Sequence, residues 1–288
     1  MIKRLKYHEI NFEKYSHCLD FSEQKNWYAK KEVLDELSGN WELLICGDYE
    51  AVMPIHIKKK FGFNFVHMPL FCQQLGIFSK IDKPEINDQF LKFFKKKYKV
   101  FLYSFNHHNI FSENLNKRKN YIVPVSDYVI LRRKKYFKGR KSTAKWAQHL
   151  FYKEIQLDNE CFSFIESNFK GLDKKSDFEK LTKYLRFLEK KNSLKISGAY
   201  LENKLINLAI LVSEPQQLSL LALFNDENFK NENGPSFLID RILNLYIHEK
   251  RFNFMGSNIR GIELFFKSFG GELHDYCFTE NKFLKIFS

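Results

Sequence analysis

Lys195-Ile-Ser-Gly-Ala-Tyr-Leu201, Leu205-Ile-Asn-Leu-Ala-Ile-Leu-Val212 and Leu218-Ser-Leu-Leu-Ala-Leu-Phe224 are three apolar runs of strand length in close succession. Such a series predicts a meander of antiparallel strands. Downstream, Gly234-Pro235 opens a helix expected over Pro235–His248, because proline suits a first helical turn. A strand Phe252–Met255 follows, then a helix Arg260–Phe269 stopped by Gly270-Gly271, and final strands near Glu272–Phe278 and Phe283–Phe287. Upstream lie helical patterns around Ser142–Phe151, Asn159–Phe169 and Asp177–Lys190. The resulting order, ααα-βββ-α-β-α-ββ, predicts a mixed α/β sheet with one strand-helix-strand crossover.

The first half is less regular. A helix from about Trp27 to Leu37 stops at Ser38-Gly39. Strands are expected at Trp41–Cys46, Ala51–Lys58 and Phe63–Met68, with Gly47-Asp48 and Phe61-Gly62 as turn residues. Pro54 suits an edge position or a bulge better than a central strand. A helix near Glu85–Lys97 carries Ile86, Phe90, Phe93 and Phe94 on one stripe, and Val100–Phe105 is the next strand. Then the extended run Tyr121-Ile-Val-Pro-Val-Ser-Asp-Tyr-Val-Ile-Leu131 meets the basic block Arg132-Arg-Lys-Lys-Tyr-Phe-Lys-Gly-Arg-Lys141. This seam places a domain boundary between residues 1–131 and 132–288.

The 288 residues carry 47 Lys+Arg against 34 Asp+Glu, a formal net charge of +13. At 44% hydrophobic and 28% charged the chain can build a core, which excludes wholesale disorder. No apolar run approaches the roughly 20 residues of a membrane helix, and Met1–Phe12 lacks a signal peptide's apolar stretch. A cytoplasmic protein is expected. Cys18, Cys46, Cys72, Cys161 and Cys277 are scattered, and only His107-His108 are adjacent among the histidines. This spacing argues against a disulfide framework and a zinc site, so no metal is expected.

Two segments add a family resemblance. Pro69-Leu-Phe-Cys-Gln-Gln-Leu-Gly-Ile-Phe-Ser79 resembles the central segment of the first domain of FemAB/FemX-like proteins, which are two-domain GNAT-fold transferases. Phe254-Met-Gly-Ser-Asn-Ile-Arg-Gly-Ile-Glu-Leu-Phe-Phe-Lys-Ser-Phe-Gly270 is similar to the FK-x-x-FG ending of their second domain, and Gly139-Arg-Lys-Ser-Thr-Ala-Lys145 to its basic opening helix. The element order of the second half is also that of GNAT acyltransferases. The resemblance implies two GNAT-like domains, the first divergent. It implies transfer of an acyl or aminoacyl group to an amine, with aminoacyl-tRNA or acyl-CoA as donor.

Transfer to an amine requires that two reactants be held together, a proton be accepted and an oxyanion be stabilised. Within that frame Lys267 matches the family lysine that stabilises the transferred carbonyl; it reads equally as a surface lysine on an amphipathic helix. Gln73 and Gln74 suit recognition of an acceptor, or a loop-capping role. Asn225 and Ser257 end the two strands between which a GNAT donor lies, and Asn106 ends Val100–Phe105; all three also read as turn residues.

The donor's phosphates should meet the helix start at Gly234 and Ser236. The glycine-rich loop usual there is replaced by Phe224-Asn-Asp-Glu-Asn-Phe-Lys-Asn-Glu-Asn-Gly234, whose Asp226, Glu227 and Glu232 would repel a pyrophosphate. Arg132, Arg133, Arg140, Lys141 and Lys145 form a second phosphate-binding candidate, for a tRNA, a nucleotide-linked precursor or an anionic membrane surface. Two other functions stay open: a non-catalytic module of the same fold binding RNA or another polyanion, and an acetyl-CoA-dependent N-acetyltransferase with an atypical phosphate loop.

Overall fold

A computed structural model describes residues 1–60, 62–169 and 175–281. The chain forms two compact units, Met1–Arg118 with Asp275–Ser288, and Lys119–His274. The division expected at Leu131/Arg132 thus differs from the observed one, and falls inside a helix of the second unit. The reason is local. Only Tyr121–Val123 of the extended run is strand, because Asp127 caps a helix by accepting from the Ile130 amide at 2.8 Å.

The first unit contains β1 (Ile2–Leu5), α1 (Phe12–Asp20), α2 (Lys31–Ser38), β2 (Trp41–Cys46), β3 (Ala51–Lys60), β4 (Phe63–Val66) and β5 (Phe78–Ser79). It continues with α3 (Pro84–Lys97), β6 (Lys99–Val100), β7 (Leu102–Ser104) and β8 (Asn116–Arg118). Its main sheet has the order β1-β2-β3-β4-β6, with β5 also on β3. Pro54 lies in the middle of this sheet rather than at an edge. It faces Leu43 of β2, while the other side of β3 passes from β5 at Val52 to β4 at Ile57. In that interval no ladder partner among the described residues needs the missing N–H, and the Pro54 carbonyl accepts from Tyr103 Oη at 2.8 Å.

The second unit contains β9 (Tyr121–Val123), α4 (Tyr128–Lys134), α5 (Lys138–Trp146), β10 (Phe151–Ile155), α6 (Asn159–Ser167) and α7 (Lys175–Lys190). The predicted meander is β11 (Leu194–Leu201), β12 (Lys204–Ser213) and β13 (Gln217–Asn225). Then come α8 (Gly234–Tyr246), β14 (Arg251–Asn253), α9 (Arg260–Ser268) and β15 (Glu272–Leu273). The sheet order is β10-β11-β12-β13-β14-β9-β15. β13 and β14 are parallel, so α8 is the crossover, as its sequence predicts.

Two expectations differ, and a third falls outside the described residues. The helix predicted to Phe151 ends earlier, and Phe151–Ile155 pairs with β11 instead. Glu272–Phe278 is two strands, β15 on β9 and β16 (Tyr276–Glu280) between β7 and β8 of the first unit. Phe283–Phe287 lies outside the described residues.

The feature that positions the site is a bulge. In the β12–β13 register Ile210 faces Ala222 but Leu211 faces Leu220, so Leu221 is extra. A bulge bends and twists its strand. The pairing of β13 with β14 covers only Gln217–Ser219 and Arg251–Asn253, and β13 continues to Asn225 against β12 alone among the described residues. The two parallel strands therefore part just before the bulge. Behind them α8 buries Phe237, Leu238, Ile239, Ile242 and Leu243 in a core shared with Phe252, Phe254, Phe266 and Phe269. Burying each such side chain contributes roughly 1.5–3 kcal/mol. This anchoring fixes where α8 begins.

Candidate functional site

Asn225 ends β13 opposite Asn207 of β12, and Asn207 Nδ2 donates to Asn225 Oδ1. Asn207 is fully buried, and its Oδ1 has no donor within reach among the described residues. That oxygen faces the first residue of α8. A Cβ on Gly234 would stand 1.5 Å from it, so the close approach of helix and strand requires glycine. The positive end of α8 is thus held at the parted strands.

Arg140 of α5 converges on the same helix start. Its Nη1 donates to Ser236 Oγ and, at 3.3 Å, to Thr143 Oγ1, while Nε donates to Ser268 Oγ at 2.8 Å. The guanidinium lies over the rings of Phe265 and Phe269, 4.5 and 4.8 Å from their centroids. These partners hold the group in place without neutralising it; no carboxylate pairs with it among the described residues. Burial accordingly lowers its pKa from the ordinary arginine value. Two candidates drawn from separate stretches of sequence, Arg140 and Ser236, are therefore hydrogen-bonded to each other.

The acidic loop before α8 is partly compensated. Asp226 caps the short helical turn Glu227–Glu232 and lies 3.8 Å from Lys204 Nζ. Glu232 meets His149 Nε2 at 2.9 Å. Both carboxylates thus have partners of their own, which weakens the repulsion expected from the sequence.

Lys267 sits on α9 with its side chain 40% exposed and its Nζ 2.8 Å from Glu263 Oε1. Glu263 also accepts from Lys119 Nζ and Tyr121 Oη, each at 2.8 Å. Hydrogen bonds from Lys119, Lys267 and Tyr121 bring the Glu263 carboxyl down to about 2, and the Lys267 ammonium is raised in turn by Glu263. Lys267 is thereby held in one orientation but shares its charge with a carboxylate. Ser257 lies in the β14–α9 loop, its Oγ accepting from the Ile259 amide at 3.0 Å.

The basic block does not act as a single patch. Arg132 Nε lies 3.9 Å from Asp240, and Lys135 lies 3.5 Å from Glu272. Lys141 Nζ donates to the Arg133 carbonyl at 2.6 Å. The exposed side chains of Arg133, Lys134, Lys138 and Lys145 remain on the outer surface of α4 and α5.

The remaining candidates belong to the first unit and are engaged there. Gln74 Oε1 accepts from the His107 amide at 3.0 Å, and its Nε2 donates to Gln73 Oε1 at 3.3 Å. Asn106 Nδ2 donates to the Gln24 carbonyl at 2.6 Å, and its Oδ1 accepts from the His108 amide at 3.0 Å. Both side chains tie loops together.

Several partners at these sites escape sequence reading. Asn207 has a signal, a lone amide within the apolar run Leu205–Val212. Thr143, Ser268 and Glu263 have none, because their roles arise only from the packing of α5 and α9 beside α8.

Neither a protein-family model nor a curated protein sequence matches the chain. Among solved structures it is similar to FemX, with a TM-score of 0.64, 10% identity and 99% of each chain covered. It is also similar to a tandem GNAT protein from the clavulanic acid biosynthesis pathway (TM-score 0.54, 8% identity, 96% of this chain and 97% of that one). L-PGS from Bacillus licheniformis gives 0.51 at 12% identity over 94% and 91%. The fold is that of a FemX-like, tandem GNAT protein, mixed α/β in both units. No helix among the described residues is long and apolar enough to cross a membrane.

Proposed function

We propose that the chain transfers an acyl or aminoacyl group to an amine, from a donor whose phosphate is held by Arg140 and Ser236 at the start of α8. The observation that carries this reading is a half-buried guanidinium bonded to hydroxyls and to no carboxylate among the described residues. Desolvating a cation without an anion is costly, and an arriving phosphate would offset that cost. The family resemblance favours aminoacyl-tRNA as donor; the likeness to a tandem GNAT protein whose structure was solved without AcCoA makes acyl-CoA the alternative.

In this reading the acyl end lies along the parted strands β13 and β14, near Asn225 and Ser257. The acceptor nitrogen attacks the acyl carbonyl, the C–N bond forms, and the C–O or C–S bond to the donor breaks. The amine loses a proton and the departing oxygen or sulfur gains one. Lys267 offsets the developing oxyanion, which requires it to turn partly from Glu263. Gln73, Gln74 and Asn106 hold loops together within the first unit.

Calorimetry with pyrophosphate, CoA and an aminoacyl-tRNA tests the donor site, followed by transfer to small amines. Pyrophosphate should bind the wild type and lose about 10–100-fold in affinity in Arg140→Met. Equal affinity in the two proteins would sink the assignment. Transfer unchanged in Lys267→Ala would sink the role given to that side chain.

A further inference from the structure

Outside the donor site, the outer surface of α4 and α5 carries an unusual mixture. On α4, Val129 and Ile130 are exposed at 68% and 48%, one turn before exposed Arg133 and Lys134. Residues four apart share a helix face, so these four side chains lie on one side. The opposite side sends Leu131 into the core. Around α5, Phe137 and Trp146 are exposed at 52% and 70%, with Lys138 and Lys145 beside them in sequence. Lys138 and Lys145 are seven residues apart and share a face, while Ala144 is buried. The Lys141–Arg133 hydrogen bond fastens the first turns of α5 to the end of α4.

We infer that this face binds the surface of a bilayer containing acidic phospholipids. None of the four cations has a carboxylate partner among the described residues, which leaves their charge for an external anion. Interfacial binding places lysine and arginine among acidic headgroups and apolar side chains at the acyl boundary. Lysine stems extend from one layer to the other. Single-stranded RNA would satisfy the charges and could stack on Phe137 or Trp146, but Val129 and Ile130 have no ring to offer a base. The bilayer uses all the exposed groups; RNA uses only part of them.

The protein carries its own reporter. Trp27 and Trp41 are buried, and Trp146 is the only exposed tryptophan of the three. The full chain is mixed with vesicles of phosphatidylcholine, alone or with phosphatidylglycerol, and sedimentation and tryptophan emission are read across salt. Binding is expected with the acidic vesicles only, weakening as salt rises, with emission shifted to the blue and shielded from acrylamide. Trp146→Phe should abolish the spectral change while the protein still sediments with the vesicles. Lys134→Gln and Lys138→Gln should each lower partitioning about fivefold. Because these positions are exposed, circular dichroism should be unchanged in every variant. Three results overturn the inference: no sedimentation at low salt, sedimentation with Trp146 as quenchable as in free protein, or a Trp146 shift produced by single-stranded RNA and not by vesicles. Pyrophosphate is absent from the assay, so the donor site and this surface succeed or fail separately.

Discussion

Each unit contains a convergent polar cluster, and the two are built in opposite ways. In the first unit, Asp82 accepts from Gln24, Asn109 and Asn87 side chains at 2.9–3.0 Å and from the Ile110 amide at 3.1 Å. Most polar atoms around it are also engaged, since Asn109 bonds the Ile77 amide and carbonyl and Gln24 Oε1 accepts from the Ser79 amide. Asn87 Oδ1 has no partner among the described residues, but the charged carboxylate is fully supplied with donors. That cluster is closed. In the second unit, Arg140 is cradled by three hydroxyls, and Asn207 keeps an unpaired oxygen at the start of α8. That cluster is open. A closed network specifies a fold; an open one with uncompensated charge is where a ligand adds free energy.

The largest effect should come from breaking the closed cluster. Asp82→Ala leaves four donor groups facing a gap and should destabilise the protein by about 2–4 kcal/mol in urea unfolding. A smaller loss than Ser→Ala changes at exposed loops would show that water replaces the carboxylate freely. Arg140→Met should behave in the opposite sense. Pyrophosphate affinity falls, yet thermal stability without ligand holds or rises, because an unpaired charge has left a low-dielectric site. A marked drop in melting temperature would make Arg140 a structural residue like Asp82.

Gly234→Ala probes the contact between α8 and Asn207. Overpacking should cost about 1–3 kcal/mol, and much of that should return in the Gly234→Ala, Asn207→Ala double variant. Additive losses would mean that the two residues do not collide.

The smallest effect concerns Glu263 and Lys267. The folded carboxyl titrates near 2 against an ordinary value of 4.5. Its contribution is therefore complete above about 4.5 and lost as pH falls toward 2. Lys267→Ala should flatten that acid-side loss while changing stability little at neutral pH. An unchanged acid profile would show that Lys119 and Tyr121 alone hold the carboxylate.

Much of the fold was legible in the sequence, for local reasons. The strands Leu194–Leu201, Lys204–Ser213 and Gln217–Asn225 and the helix from Gly234 declare themselves through apolar runs and a Gly-Pro start. Tyr121–Leu131 misled because β-branched composition continues past Val123, while the single side chain of Asp127 turns the backbone helical. The helix expected over Ser142–Phe151 stops short at Trp146 because Phe151–Ile155 pairs with Leu194–Leu201, a long-range event invisible in the local pattern. For the site, the sequence nominated Arg140 and Ser236 separately. It gave no sign that they meet, nor that Arg132 and Lys141, members of the same basic run, are engaged elsewhere.

By itself, then, the sequence determined the order of elements in the second half and the excess of positive charge. These depend on side-chain periodicity and composition, which are properties of neighbours along the chain. Only the tertiary structure decided which cations are neutralised, which face outward and which one is buried beside a helix start. Charge acts through distance and dielectric, and both are set by how α5, α8 and α9 pack. The eight basic residues between Arg132 and Lys145 divided, in space, into one candidate anion site, one exposed surface of four cations, and three groups engaged by Asp240, Glu272 and the Arg133 carbonyl.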